Sequence, residues 1–341
     1  MIVAHVHRMR GIGGSERHLL TLLPALRARG VDARFVGLDD LDGWDPQPFY
    51  DALDAVPYTR LRSARGLRRA LHGVDAVHTH LVHADVYGAL AAGRAPLFST
   101  KHNDDRFRTG PWRFAERLLA RRASRVVAIT HALKRFQVER VGLPADKVEV
   151  IHYGMDEPPG AWGENPQLAL GDGPVVACVA RLEPQKGVDV AVRALHMCTP
   201  TSLGPTLIVL GEGPERPRLE GLARELGVRL VLPGRVPDVA AILRSADALV
   251  HPARWEGFGL GVLEAMLCSL PVVATNVSSL PELVADGETG YLVPPDDPAA
   301  LAAALKRVLE DPRDLGARGY DRARREFSVE RMATRTAKLY R

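Results

Sequence analysis

The feature that most constrains the fold of this chain is a strand–helix alternation that occurs twice. Short runs rich in β-branched residues predict buried strands in the first half, at residues 2–7, 32–38, 75–80, 96–100 and 125–130. The same kind of run predicts a second series, at residues 174–180, 206–210, 228–232, 247–251 and 271–275. Segments with helical spacing of apolar residues lie between the runs. Because parallel strands need such crossover helices, the alternation predicts two parallel sheets with helices on both faces.

The two series are separated by a stretch without periodicity, YGMDEPPGAWGENPQLALGDGP at residues 153–174. It is rich in Gly and Pro, as domain linkers are. We therefore predict an α/β protein of two tandem doubly wound, Rossmann-like domains, residues 1–157 and 174–327, with a cleft between them. Residues 158–173 would form the linker, and the tail at about 328–341 is predicted to be a final helix.

Apolar runs and cysteines bear on the compartment of the protein. No apolar run approaches the roughly 18 residues of a membrane-spanning helix. The first residues, MIVAHVHRMRGIGG, lack the uninterrupted apolar stretch of a signal peptide and are better explained as a first strand. Cys178, Cys198 and Cys268 show neither disulfide nor zinc spacing. We expect a cytoplasmic protein.

The basic character of the chain permits anionic partners without requiring them. Its net charge is +4 and its pI about 9.1. Residues 106–125 are basic, with Phe107, Trp112 and Phe114 interleaved, which suits docking at the inner face of an anionic membrane. The favoured alternative is a core-facing helix with solvated arginines. Nucleic-acid binding is not expected, because the aromatic residues do not repeat along a basic groove.

Three segments at predicted strand ends carry candidate binding chemistry, and the first is GIGGSE at residues 11–16. A glycine-rich turn that opens a helix lets backbone N–H groups approach an anion. The match to a dinucleotide-binding fingerprint fails, since Glu16 stands where the third glycine belongs. The structural alternative is a plain tight turn in which Ser15 caps the helix.

The second segment is ARLEPQKG at residues 180–187. Arg181 and Lys186 flank a proline-containing turn after a predicted strand. Two cations in this position can hold two phosphates, the arginine as a fork and the lysine as a point charge. Taken alone, a solvated charged loop is the more common explanation of such a segment.

The third segment, RWEGFGLGVLE, carries Glu256 and Glu264 with seven residues between them. Its glycine-rich turn exposes N–H groups at the start of a helix, where a phosphate or sugar oxygen is stabilised. Glu264 follows about two helical turns later, and a carboxylate can accept both hydroxyls of a ribose. The alternative for Glu264 is a surface residue, which its apolar neighbours disfavour.

In their order along the chain, these motifs resemble those of the retaining GT-B glycosyltransferases, family 4 of the carbohydrate-enzyme classification. The segments IHYGMD (151–156), LGEGPE (210–215) and GRVPDV (234–239) fall in the expected places as well. The resemblance implies transfer of a sugar from a nucleoside diphosphate donor to an acceptor hydroxyl, with retained configuration. The first domain would bind the acceptor and the second the donor. The helix at about 328–341 would pack back on the first domain.

The resemblance also implies site residues, with catalytic roles for Arg181, Lys186, Glu256 and His102. Arg181 and Lys186 would hold the diphosphate, and His102 would lie against the donor sugar. The remaining donor-binding candidates are Gly13, Gly14, Arg235, Val236, Gly257, Phe258, Gly259, Leu260 and Glu264.

Those further candidates divide by the part of the ligand they would contact. Gly13 and Gly14 would bring backbone near the phosphates and acceptor. Arg235 and Val236 would flank the base, and Glu264 would hold the ribose. Glu256 would contact the sugar hydroxyls, aided by the turn from Gly257 to Leu260.

Catalysis in this scheme needs no metal and no cofactor beyond the nucleotide-sugar substrate. Two cations and a helix N-terminus would stabilise the charge on the leaving phosphate. The resemblance favours front-face attack, in which that phosphate takes the proton of the acceptor. A GT-B nucleotide-sugar epimerase and a non-catalytic nucleotide-sugar-binding module are the alternatives. For His102 the alternative is a packed structural histidine, since His5, His7, His78, His80 and His83 also lie near predicted strand ends.

Overall fold

Two α/β units make up the fold. The computed structural model describes residues 1–9, 11–39, 43, 45–104, 109–158, 173–198, 204–311 and 314–341. The first unit comprises Met1–Met155 together with Phe327–Arg341, and the second comprises Asp156–Glu326. Apart from residues 158 and 173, the predicted linker lies outside the described residues.

The first unit is built on a parallel sheet of seven strands in the order β3-β2-β1-β4-β5-β6-β7. The strands are β1 (Ile2–Arg8), β2 (Asp32–Leu38), β3 (Tyr58–Leu61), β4 (Ala76–His80), β5 (Leu97–Lys101), β6 (Arg125–Ala128) and β7 (Val148–Val150). The helices are α1 (Gly14–Arg27), α2 (Gln47–Asp51), α3 (Leu67–Ala70), α4 (Leu81–Ala91), α5 (Trp112–Arg122), α6 (His131–Arg135) and, from the end of the chain, α14 (Val329–Leu339). β4 and β5 are buried at every position, as expected for central strands covered on both faces.

The second unit has a parallel sheet of six strands in the order β10-β9-β8-β11-β12-β13. The strands are β8 (Val175–Val179), β9 (Thr206–Leu210), β10 (Leu230–Gly234), β11 (Ala248–His251), β12 (Val272–Thr275) and β13 (Gly290–Val293). The helices are α7 (Val188–Met197), α8 (Arg216–Leu226), α9 (Val239–Arg244), α10 (Leu260–Leu267), α11 (Leu280–Leu283), α12 (Pro298–Glu310) and α13 (Leu315–Glu326).

All the strands predicted from the sequence are present, and both sheets are parallel, so the predicted fold class is confirmed. The described residues contain three further strands, β3, β7 and β13, that were not predicted. Each has only three or four residues and lies at the edge of its sheet, and β3 is mostly exposed. A strand this short at an edge carries too little apolar pattern to be recognised.

The final helix, α14, belongs to the first unit. Its buried residues Val329, Met332, Ala333 and Thr336 follow helical spacing and form one face. That face packs in the same core as Leu19, Leu22 and Leu26 of α1. Ser328 begins the helix by accepting a hydrogen bond from the backbone N–H of Arg331, a common helix cap.

Among the described helices, none combines the length and the apolar character needed to cross a membrane.

Candidate functional site

Ligand sites in open α/β sheets form where the strand order reverses, beyond the carboxyl ends of the strands. In the second unit the order reverses between β8 and β11, which are neighbours in the sheet. The loop of residues 180–187 follows β8, and the loop of residues 252–259 follows β11. The fold therefore brings two of the three predicted segments to one point, although they are about 70 residues apart in sequence.

At this point Lys186 and Glu256 form an ion pair. The Lys186 Nζ donates to Glu256 Oε2 at 2.5 Å, and the His251 Nε2 lies 3.0 Å from the same oxygen. The side chains of Lys186 and Glu256 are largely buried, with relative exposures of 12% and 11%. The structure thus joins Lys186 and Glu256 directly and adds His251, which sequence reasoning had not singled out.

The charge state of Glu256 follows from these neighbours. Burial alone would raise the pKa of its carboxyl group. The hydrogen bond from His251 and the charge of Lys186 outweigh burial and hold the pKa of Glu256 well below its usual range. Glu256 is therefore an anion at neutral pH and can only accept hydrogen bonds, which suits the binding of hydroxyl donors.

Arg254 fastens the two loops to each other. Its guanidinium contacts both oxygens of Asp189, at 3.1 and 3.0 Å, and the backbone carbonyl of Pro184. Its backbone N–H donates to the Gln185 carbonyl at 2.8 Å. Burial raises the pKa of Asp189, but the Arg254 hydrogen bonds exceed that effect and lower the pKa overall. Arg254 and Asp189 thus hold the Lys186 loop in place beside Glu256.

The glycine-rich turn after Glu256 is also held in place, by the side chain of Ser279. The buried hydroxyl of Ser279 contacts the backbone carbonyls of Glu256 and Phe258, at 3.1 and 3.0 Å. α10 then begins at Leu260, directly against the end of β8, where a Cβ on Gly261 would lie 2.9 Å from the Val179 carbonyl oxygen. Only glycine allows the N-terminus of α10 to approach β8 this closely. The N–H groups at the start of α10 therefore lie beside the Lys186 loop.

The other side chains of the second unit that were predicted to bind the donor are those of Arg181, Arg235, Val236 and Glu264. Arg181 is largely exposed and pairs with Glu183. Arg235 is exposed, with its Nε 3.5 Å from Glu212, and Val236 beside it is half-buried. Glu264 is half-buried in the second turn of α10. The roles assigned to these residues remain predictions.

In the first unit the strand order reverses between β1 and β4. The predicted glycine-rich turn follows β1, and Gly13, rather than Ser15, caps α1. The Gly13 N–H donates to Glu16 Oε2 at 3.0 Å, and the Ser15 hydroxyl donates to the same oxygen at 2.9 Å. The alternative in which Ser15 caps the helix was therefore wrong. Glu16 is also the residue at which the dinucleotide-binding fingerprint does not match. Its carboxylate accepts hydrogen bonds at the start of the helix.

His102 follows β5 directly and is buried. Its Nε2 lies 3.0 Å from His80 Nδ1, and its Nδ1 contacts the hydroxyl of Tyr153. Sequence reasoning had named His80 only as a histidine near a strand end and had not considered Tyr153. A usable signal was present, because His5, His7, His78 and His80 alternate along two strands that are paired in the sheet.

Comparisons with known families match almost the whole chain. Residues 12–157 match the family described as Glycosyltransferase Family 4, and residues 164–326 match Glycosyl transferases group 1. Glycogen synthase of Mycobacterium tuberculosis is 31% identical, over 96% of this chain and 91% of that protein. D-inositol 3-phosphate glycosyltransferase of Salinispora tropica is 33% identical, over 89% of this chain and 70% of that protein.

Solved structures share the architecture. The Anabaena protein HepE, crystallised with UDP, superposes with a TM-score of 0.87 at 24% identity and covers 99% of both chains. Sucrose-phosphate synthase of Thermosynechococcus elongatus superposes with a TM-score of 0.81 at 24% identity, over 99% of this chain and 98% of that one. At this level of identity the likeness establishes a common fold.

Proposed function

The chain belongs to the group 1 glycosyltransferases of the GT-B fold, and from that premise we propose that it transfers a sugar from a nucleoside diphosphate sugar to an acceptor hydroxyl. The observation that carries this proposal is the Lys186–Glu256–His251 cluster at the β8/β11 reversal. It combines a cation, an ionised carboxylate and the N-terminus of α10. UDP and UDP-glucose are bound in crystal structures of HepE, so UDP-sugars are the first donors to test.

The cluster suits the electrostatics of this reaction. Negative charge grows on the leaving diphosphate as the glycosidic bond breaks, and preorganised positive groups lower the barrier. A lysine ammonium has three donors and uses one for Glu256, so it can bind a phosphate oxygen without leaving the carboxylate. Arg181, exposed at the end of β8, can add a second cation by leaving Glu183.

We extend the proposal to metal-independent transfer with retained configuration. The charge that a divalent cation supplies elsewhere would come here from Lys186, Arg181 and the helix N-terminus. Glu256 would bind sugar hydroxyls as an acceptor, and the leaving phosphate would accept the acceptor's proton on the same face. Transfer should therefore persist in EDTA, and the product should keep the donor's anomeric configuration. Activity that is abolished by EDTA and restored by a divalent cation would contradict metal independence.

The decisive experiment is the substitution Lys186→Ala. We expect kcat to fall by about 100-fold or more, in the range found for single groups that stabilise developing charge. Lys306→Ala, on α12 of the same unit, is the matched control and should keep its turnover. Acceptor-dependent release of free nucleoside diphosphate is the readout, and it separates a transferase from an epimerase or a binding module. Near-normal turnover of a folded Lys186→Ala variant would overturn the assignment.

We also propose a peripheral membrane contact through α5. Sequence analysis favoured a core-facing helix at this place, but Trp112, Phe114 and Leu118 are 40%, 61% and 67% exposed. The buried residues of α5 are Glu116 and Ala120 instead, and Glu116 pairs with Lys101 at 2.9 Å. Phe107 lies outside the described residues. An amphipathic helix with exposed aromatic side chains among arginines is suited to anionic lipid.

Vesicle co-sedimentation tests this second proposal. The protein should sediment with phosphatidylglycerol-containing vesicles and remain in solution with phosphatidylcholine alone. The double substitution Phe114→Ser and Leu118→Ser should weaken sedimentation without loss of stability, because both side chains are already exposed. Met197→Ser, at an exposed apolar residue of the second unit, is the control. Binding that ignores the anionic lipid content would contradict the proposal.

A further inference from the structure

A continuous chain of hydrogen bonds runs through the core of the first unit and includes His102. We call it the histidine wire. In order along the hydrogen bonds, its members are Tyr153, His102, His80, His5, Tyr340, His78 and Thr100. Every member is buried. The wire is distinct from the Lys186–Glu256 cluster, which lies in the second unit.

The sheet explains why these side chains meet. His5 on β1 pairs in register with His78 on β4, and His80 pairs with Thr100 on β5. Since alternate residues of a strand point to the same face, His78, His80 and Thr100 share one face with His5. His102 follows two residues after Thr100. α14 contributes Tyr340 to the same face from the far end of the sequence.

The distances describe an unbroken path. His102 Nε2 lies 3.0 Å from His80 Nδ1, and His80 Nε2 lies 3.1 Å from His5 Nδ1. The Tyr340 hydroxyl lies 3.4 Å from His5 Nε2 and 2.6 Å from His78 Nδ1, and His78 Nε2 lies 2.7 Å from the Thr100 hydroxyl. Each imidazole therefore uses both of its nitrogens inside the wire.

Burial keeps these rings neutral. It lowers the pKa of His5 and His80 well below the usual value, and it lowers the pKa of His78 to about 3. A neutral imidazole has one N–H donor and one nitrogen acceptor. Two neighbouring rings in the wire can therefore bond only if one donates and the other accepts, so the position of one proton determines the next.

The contacts of Tyr340 give the wire a direction. The 2.6 Å distance to His78 Nδ1 is typical of a donating hydroxyl and shorter than most N–H···O bonds. If Tyr340 donates to His78, it can only accept from His5, which must carry its proton on Nε2. His5 Nδ1 then accepts from His80 Nε2–H, and His80 Nδ1 accepts from His102 Nε2–H. The Tyr153 hydroxyl completes the sequence by donating to His102 Nδ1.

We propose that His80 and His5 are positioning residues for His102, and that the wire holds its ring neutral, immobile and protonated on Nε2. The link to sugar transfer rests on the proposed function and on the role that the family resemblance implies for His102, which is to lie against the donor sugar. With both ring nitrogens bonded inside the protein, His102 contributes a fixed shape to the site and does not act as an acid or base. Sequence analysis had counted it among the catalytic residues.

The same histidines could hold a metal ion, since one nitrogen each of His5, His78 and His80 lie within 4.8 Å of one another. The observed contacts favour the wire. In the wire, His5 Nδ1 and His80 Nε2 share one proton, so one of them donates and the other accepts. A metal ion bound by these two nitrogens would need both of them unprotonated. Metal binding by these three histidines would therefore contradict the proposal.

Two-bond ¹H–¹⁵N spectra of protein labelled in the histidine rings test the proposal without any substrate. We expect neutral Nε2–H tautomers at His5, His78, His80 and His102 between pH 6 and 8. Different tautomers among these residues, or titration of His102 near pH 6.5, would overturn it. So would stoichiometric binding of Zn²⁺, added alone, that shifts the His5, His78 and His80 signals together.

Variants show whether the wire sets the His102 tautomer. His80→Phe keeps a ring in the core but removes both nitrogens, and His102 should then lose its single tautomer. Tyr340→Phe removes only the hydroxyl between His5 and His78, keeps the packing, and should produce mixed tautomers at His5 and His80. His18→Phe is the matched control, because His18 stacks on Tyr153 at 4.4 Å but makes none of the hydrogen bonds of the wire. An unchanged His102 signal in both His80→Phe and Tyr340→Phe would contradict the proposal.

Kinetics connect the wire to transfer. Loss of a partner that orients a metal-ligating histidine typically lowers metal affinity or activity by about 10-fold to 100-fold. By analogy, His80→Phe should lower kcat/KM for the donor by about 10-fold. A variant with mixed His102 tautomers and normal transfer would overturn the positioning role. Uniform tautomers in a protein that transfers no sugar would instead refute the proposed function and leave the wire intact.

Discussion

At the scale of single residues, the loop that carries Lys186 depends on one glycine. Gly187 has φ +63°, and a Cβ on it would lie 2.0 Å from the Pro252 carbonyl oxygen. Side chains are disfavoured at positive φ, and here the neighbouring loop also fills the space. Gly187 thus sets the approach of the Lys186 loop to the loop that carries Glu256.

Gly187→Ala should separate the two loops and lower both stability and transfer. Gly227→Ala is the control, because Gly227 has φ +67° but a Cβ on it would meet no atom of the described residues within 4 Å. We expect the control to lose about 1–2 kcal/mol from backbone strain alone and to keep its kcat. Urea unfolding and steady-state kinetics measure the two effects. Equal losses in the two variants would show that the contact with Pro252 has no part in holding the loop.

The buried histidines also predict an acid-sensitive first unit. His18 and His78 have their pKa lowered to about 3, whereas an unfolded histidine titrates near 6.5. Below pH 6.5 the unfolded chain binds protons that the folded chain does not. Stability is therefore full above pH 6.5 and falls as the pH drops toward 3. Each such histidine lowers the free energy of unfolding by about 1.4 kcal/mol for each pH unit below 6.5 in this window.

Urea midpoints at pH 7, 6 and 5 measure this slope. Replacement of His18 by Phe should make the slope smaller, while replacement of the exposed His72 by Gln should leave it unchanged. A midpoint for the first unit that does not change between pH 7 and pH 5 would show that these histidines are not held neutral.

Sequence reasoning found Lys186 and Glu256 because each stands in a turn after a predicted strand. Their direct contact was not predictable from the alternation, since it depends on β8 and β11 being neighbours in the sheet. Strand order is a property of tertiary packing. For the same reason Arg254 and Ser279 were missed, because each acts through a partner that is distant in sequence. His251 was missed although its partner Glu256 is only five residues away.

At the scale of elements, α14 is a structural part of the first unit. Met332 is buried in the shared core with α1, and the backbone N–H of Gly154 lies 3.0 Å from its sulfur atom. Its replacement by Ala should cost about 2–5 kcal/mol, as for other buried methionines. Lys338→Ala on the exposed side of the helix is the control. A loss below about 1 kcal/mol, measured by urea unfolding, would show that α14 is a minor part of that core.

The elements that sequence reasoning predicted well have a clear apolar pattern. In α14 the pattern is one apolar helix face, and in β4 and β5 it is a continuous buried run. α5 shows the opposite case. Sequence reasoning favoured a core-facing helix with solvated arginines over membrane docking, but the buried acid Glu116 faces inward to pair with Lys101. A buried ion pair reverses the expected orientation and cannot be inferred from an apolar pattern.

At the scale of the whole molecule, nucleotide binding should be visible as stabilisation. A ligand at 100 times its Kd adds about 2.7 kcal/mol to the native state. In a thermal-shift panel of UDP, GDP, ADP and dTDP, one nucleotide should therefore raise the unfolding temperature clearly more than the others. Lys186→Ala should abolish the shift and Lys306→Ala should keep it. No shift with any nucleotide would contradict the donor site proposed for the second unit.

The return of α14 to the first unit has a consequence for biosynthesis. The first unit is synthesised first, but part of its core comes from residues 329–340, which leave the ribosome after the entire second unit. Domains generally fold as units during synthesis. Here the later domain can complete its core while the earlier one still lacks Met332 and Tyr340. The order of folding would then be the reverse of the order of translation.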